Sequence, residues 1–179
     1  LCAGSNVADD ILGRFRVCFL PDTNPDGNVL GHCNSDGQGG FPYFEAYLAP
    51  EGNKSASPEN KAVWHYLEQK RPVLFWEWHS NHLARRPGHM LLRYRPELIE
   101  NEPLREKWEE IERRLIELPD TMSAGFTSHS EGPFQGSMGF QASTRLGSIA
   151  CMIKQHDKFP LAKSREHAIE CLKAAAAVL

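Results

Sequence analysis

The stretch Phe15-Arg16-Val17-Cys18-Phe19-Leu20-Pro21-Asp22-Thr23-Asn24-Pro25-Asp26-Gly27 decides how the chain is read. Its first six residues are mostly apolar and include β-favouring Phe and Val, which predicts a buried strand over residues 15–20. Pro21 halts that strand, and the run from Asp22 to Gly27 is dense in turn formers. Just upstream, Val7 to Leu12 reads as the end of a helix.

Downstream, residues 31–57 are rich in Gly, Asn, Ser and Pro. They predict a long irregular surface loop, and loops of that length inside a domain are often functional. Ser57-Pro58-Glu59 then opens a helix with a hydroxyl cap, a proline at the first helical position and an acid near the positive end of the dipole. That helix is expected to reach about Lys70 and stop before Pro72. Val73 to Trp78 reads as a short apolar strand with His79 at its C-terminal end. Leu104, Trp108, Ile111, Leu115 and Leu118 fall at helical spacing, with charges on the opposite face. Gly147 to Ile153 predicts another strand, and Ser164 to Leu179 a closing helix. Strands alternating with helices imply an α/β fold: a mixed, largely parallel sheet with helices on both faces.

At 179 residues the chain is long enough for one domain with a sizeable core, and no repeat or linker divides it. A net charge of −3 gives no ground for nucleic acid or an anionic membrane as partner. No apolar run approaches the ~20 residues that span a bilayer. The five cysteines are scattered and odd in number. They point to reduced thiols and a cytoplasmic setting, and leave room for one disulfide. The first residue is Leu1, which suggests a processed or truncated chain.

Taken in order, these segments resemble the zinc carboxypeptidases of the carboxypeptidase A type, over the C-terminal portion of their catalytic domain. The resemblance rests on the strand and turn ending in Asn24-Pro25-Asp26-Gly27, the Gly-rich loop, the helix opened by Ser57-Pro58-Glu59, the strand ending in Glu77-Trp78-His79-Ser80, and the later strand Gly147 to Ile153. It implies zinc as cofactor, a peptide or acylated small molecule as substrate, and attack of a zinc-bound water on an amide carbonyl. Such a zinc takes about three protein ligands and leaves one position open. It also implies that His79 is a zinc ligand. Glu77 shares the face of His79 along the strand, where it is placed to orient that histidine as carboxylates do around metal sites. The alternative for His79 is a strand-end histidine exposed to solvent.

Several family features are missing from this sequence. Two zinc ligands come from a His-x-x-Glu motif upstream of the Asn-Pro-Asp-Gly turn, yet none of the 23 residues before Asn24 is His or Glu. An N-terminal segment or a partner chain is the expected source. His65-Tyr66-Leu67-Glu68 and His167-Ala168-Ile169-Glu170 match the motif but lie after the turn and inside predicted helices, so packing or surface roles are expected. His82 makes a His-x-x-His pair with His79, and His89 lies nearby. No arginine occurs between Arg16 and Arg71, so the arginines that bind a substrate carboxylate in the family's loop are absent. Arg85 and Arg86 are the replacement candidates for substrate binding. If Ile153 ends its strand, Lys154 stands where the resemblance places the catalytic glutamate, with His156 and Asp157 as substitutes in a shifted register. Two functions follow as expectations: a divergent zinc carboxypeptidase or amide hydrolase, inactive as this chain alone, or a non-catalytic binding or assembly subunit of the same fold.

Overall fold

The computed structural model describes residues 6–23, 25–30, 58–81, 89–93, 97, 99–118, 126–129, 138–156 and 160–179. The elements in chain order are helices α1 (Asn6–Arg14), α2 (Pro25–Leu30) and α3 (Pro58–Lys70), strands β1 (Leu74–Asn81) and β2 (His89–Arg93), helix α4 (Glu102–Ile116), strand β3 (Phe126–His129) and helix α5 (Met138–Gln141). A π-helical turn (Ala142–Leu146), strand β4 (Ile149–His156) and helix α6 (Leu161–Ala176) complete the order. The sheet runs β1-β4-β2-β3. β1 lies parallel to β4, and β2 parallel to β3, while β2 and β4 are antiparallel. The mixed sheet is therefore as the sequence implies.

Both faces of the sheet are covered. Side chains alternate along β4, so Ile149, Cys151 and Ile153 meet Trp108, Ile111 and Leu115 of α4 and Cys171 and Ala175 of α6, with Leu74 and Trp76 of β1 at their side. On the opposite face Ala150 and Met152 pack with Phe75 and Phe140. There α3 joins through Trp64 and Leu67, which contact Met138, Phe75 and Leu146. Burying β4 on both sides requires its near-continuous apolar run, in contrast to the half-polar pattern of a strand wet on one face.

Helix α4 shows how local sequence sets an element. The Asn101 side chain accepts from the Leu104 backbone N–H at 3.1 Å, and proline occupies the first turn. Trp108, Ile111 and Leu115 then bury completely at helical spacing. The outer face carries Arg113–Glu110 and Arg114–Glu110 ion pairs, both at 2.7 Å.

Three expectations need correction. Residues 15–20 form no strand. Phe19 and Leu20 are 66% and 41% exposed, and Cys18 instead hydrogen-bonds Tyr66 of α3, an interaction that raises the phenol's pKa. Apolar and β-branched residues favour a strand only where a neighbouring strand can pair with them, and none does so among the described residues. Pro25, Asp26 and Gly27 of the expected turn lie instead in α2, which begins at Pro25 with Asp26 in its first turn, an arrangement that suits the preset φ of proline and the helix dipole. Finally, β4 does not end at Ile153 but runs to His156, because its pairing with β1 continues to Asn81. Lys154 therefore lies within the strand. The 31–57 loop falls outside the described residues. No helix among the described residues is long and apolar enough to cross a membrane.

Candidate active site

The register between β1 and β4 is set at their first residues. After the π-helical turn, Gly147 adopts φ 69°, a left-handed conformation that favours glycine. This reversal lets the Ser148 N–H return to the Ala142 carbonyl at 3.1 Å. The buried Ser148 hydroxyl donates to the Pro72 carbonyl at 2.7 Å, and the Ile149 N–H donates to the Val73 carbonyl at 2.8 Å. From that clamp the ladder counts off without a bulge: Leu74 with Ile149, Glu77 with Met152, His79 with Lys154, and Asn81 with His156. His79 and Lys154 are thus neighbours across the two strands, with backbones about 4.8 Å apart.

His79 lies near the C-terminal end of β1, with the strand continuing two residues beyond it. Both Glu77 and His79 are half-buried, and each is engaged by neighbouring groups. The carboxyl ends of parallel strands are where open α/β sheets gather their ligands, and the β1–β4 pair offers such an end. β2, which runs the other way, places Met90 opposite Lys154. His89 begins β2. Arg85, Arg86, His82 and Asp157 lie outside the described residues.

The two His-x-x-Glu matches separate as expected from their helical positions. His65 and Glu68 are exposed on α3, where His65 hydrogen-bonds Gln69 at 2.8 Å. His167 is 2% exposed in α6, with its Nε2 3.7 Å from the Cys171 sulfur and its ring edge-on to Trp78 at 6.1 Å. Glu170 turns outward to Lys173 at 2.8 Å. Neither pair converges on one point. The thiols are no better candidates for chemistry: burial first, and then Cys171 nearby, push Cys151 well up, while burial pushes Cys171 up. A thiol so held is a poor nucleophile.

Sequence reasoning singles out His79 because a histidine late in an apolar strand is a local signal, although β1 runs on to Asn81 rather than ending at Trp78. It misses β2 and the neighbourhood of His79 and Lys154, which depend on pairing between segments far apart in the chain.

Among solved structures, the chain is similar to a metallo-carboxypeptidase from Burkholderia cenocepacia, with a TM-score of 0.70 and 16% identity over 98% of this chain and 48% of that one. The fold is carboxypeptidase-like. A metallo-carboxypeptidase from Pseudomonas aeruginosa in complex with (2-guanidinoethylmercapto)succinic acid is also similar, with a TM-score of 0.63 and 18% identity over 88% of this chain and 44% of that one. The chain thus spans a little under half the length of these structures. No family model matches the sequence, and no curated protein matches it either. At such identities the likeness is one of fold, and chemistry has to be argued from the site.

On that ground, a carboxypeptidase-like fold is not by itself a metal centre. Among the described residues no group of three or more His, Cys, Asp or Glu side chains could hold an ion. His79 would be one ligand of about three, and the register partner beside it is a lysine. The described residues of this chain alone do not fit a catalytic zinc.

Proposed function

We propose that this chain is one portion of a carboxypeptidase-type hydrolase that cleaves peptide bonds or the amides of acylated small molecules. In this reading His79 is the ligand it contributes to a zinc, and Glu77 orients that histidine. The first ligand pair comes from residues that this sequence does not contain, whether an upstream segment or a partner chain. Arg85 and Arg86 supply charge to the substrate. What supports the reading is that His79 lies two residues from the carboxyl end of β1, which pairs in parallel with β4 in a carboxypeptidase-like sheet.

Metal analysis and amide hydrolysis test it together. The chain alone should bind little zinc and turn over little or no substrate. Joined to a segment or partner carrying His-x-x-Glu, it should gain zinc, and His79→Ala should remove most of it. Zinc uptake that is indifferent to His79 would sink the reading.

A second reading, a non-catalytic binding or assembly subunit, holds if position 154 keeps the place of the glutamate although β4 runs on to His156. Where the resemblance implies a glutamate that moves protons, a lysine ammonium has no free electron pair with which to act as a base. The two readings part on one variant. In the metal-loaded assembly, Lys154→Glu should raise hydrolysis if position 154 is the proton-transfer position. If the native assembly takes up metal yet neither it nor the variant hydrolyses amides, the binding-subunit reading stands.

A further inference from the structure

We propose that His167 of α6 is a positioning residue for His79, acting through the neighbouring Trp78. The proposal rests on the reading above that His79 is a metal ligand, but the contact it invokes needs no metal.

Among the described residues β1 is an edge strand, paired with β4 alone. The twist between neighbouring strands varies from about −10° to −35°, whereas a functional side chain has to be held within about 0.5 Å and 10–20°. A single ladder therefore leaves a wider range of directions than a metal ligand tolerates, and side-chain contacts on the faces of the strand have to narrow it. Near its start β1 has them, because Leu74 and Trp76 pack into the core formed with α4 and α6. Trp78, the next residue on that face, is 39% exposed and lies beyond that core. What it meets is His167, with ring centroids 6.1 Å apart and planes at 65°, an edge-to-face arrangement that aromatic rings favour.

His167 is placed to hold a direction. It is buried, and it stands one turn ahead of Cys171, which with Ala175 fastens α6 to the core. Its Nε2 lies 3.7 Å from the Cys171 sulfur, a contact that restrains rotation of the ring. Consecutive strand residues project to opposite faces. A rotation of β1 that carried Trp78 away from α6 would therefore swing His79 through the same angle on the other side of the sheet. The His167–Trp78 contact opposes that rotation one residue away from the candidate ligand. The groups that engage His79 directly then act on a side chain whose direction from the sheet is already set. Burial of His167 is not explained by its His-x-x-Glu spacing, since Glu170 turns away to Lys173; a role in fixing β1 does explain it.

Nuclear magnetic resonance of the full chain tests the contact without metal. In the native chain, Overhauser contacts should join the rings of His167 and Trp78. His167→Ala should shift the ring resonances of His79, and His167→Phe, which keeps an aromatic edge against Trp78, should bring them back toward their native positions. In a Trp78→Ala chain the same change at His167 should no longer move them, because both residues act through one contact. Ile149→Val, at the far end of the ladder, should lower stability and leave the His79 resonances in place. Missing Overhauser contacts, which need no variant to fold, would overturn the proposal. So would His79 resonances indifferent to His167, or moved as far by His167→Ala when Trp78 is absent. In the metal-loaded assembly, His167→Ala should weaken zinc binding by about tenfold or more, and His167→Phe by no more than a few fold. Zinc affinity that needs His79 but is indifferent to His167 would overturn the positioning role and leave the hydrolase reading standing. Zinc uptake indifferent to His79, with His79 still displaced by His167→Ala, would sink the hydrolase reading and leave the coupling of the two histidines intact.

Discussion

Ser148 shows how much one hydroxyl can decide. It is completely buried, and its donation to the Pro72 carbonyl joins residues 76 positions apart. Ser148→Ala would remove this part-buried hydrogen bond, a loss of about 1 kcal/mol. Chemical denaturation should show the midpoint falling with an unchanged slope. A variant as stable as the native chain would mean that the backbone bond from Ile149 to Val73 holds the strands unaided. The functional stake exceeds the energy. A slip of one residue would bring Gln155 opposite His79 and reverse the alternation of every later position. Among the candidate residues, His79 and Glu77 stand out in the sequence because their signal is local: a histidine and an acid spaced by two in an apolar strand. The place of Lys154 is not legible, since the number of residues by which β4 extends beyond Ile153 depends on β1 and β2 lying beside it.

Elements whose determinants are contained within them are legible in the sequence. Helix α4 carries its cap, its apolar stripe and its ion pairs in one run of sequence, and α3 follows its proline start and its stop before Pro72. Residues 15–20 have strand propensity but form no strand, because propensity says nothing about whether a pairing partner is present. β2 and β3 have five and four residues, too few for a period of two to stand out. The ion pairs on α4 give a pH prediction. Hydrogen bonds from Arg113, and then from Arg114, hold the Glu110 carboxyl at about 2 against an ordinary 4.5. The folded state thus binds fewer protons at this site than the unfolded state. The resulting stabilisation is complete above about pH 4.5 and is lost as pH falls toward 2. Comparing native chain and Glu110→Gln across that window should show their stability difference shrinking on acidification. A difference that grows would contradict the sign. The groups are at the surface, so added salt should also shrink it.

For the molecule as a whole, the sequence-based expectation of a mixed α/β sheet with helices on both faces agrees with the observed architecture, and the likeness to metallo-carboxypeptidases agrees with both. Within that architecture protection from solvent should be uneven. β4 is paired on both edges and Ile149 to Ile153 are completely or almost completely buried, so its amides should exchange with deuterium most slowly among the described segments. α2, six residues long with Val29 87% exposed, should exchange quickly. Hydrogen exchange read by mass spectrometry distinguishes the two, and equal rates would mean that the sheet centre is not the stable part of the fold.

The distance in sequence between Pro72 and Ser148 also has a kinetic consequence. The two meet only after the whole crossover between β1 and β4 has closed, an event that a folding chain reaches late because so long a loop must be ordered first. The adjacency of His79 and Lys154 therefore arises with the native state and is absent from partly folded chains. A ligand held by both strands would bind after the folding barrier has been crossed, so it would slow unfolding and leave the rate of folding unchanged.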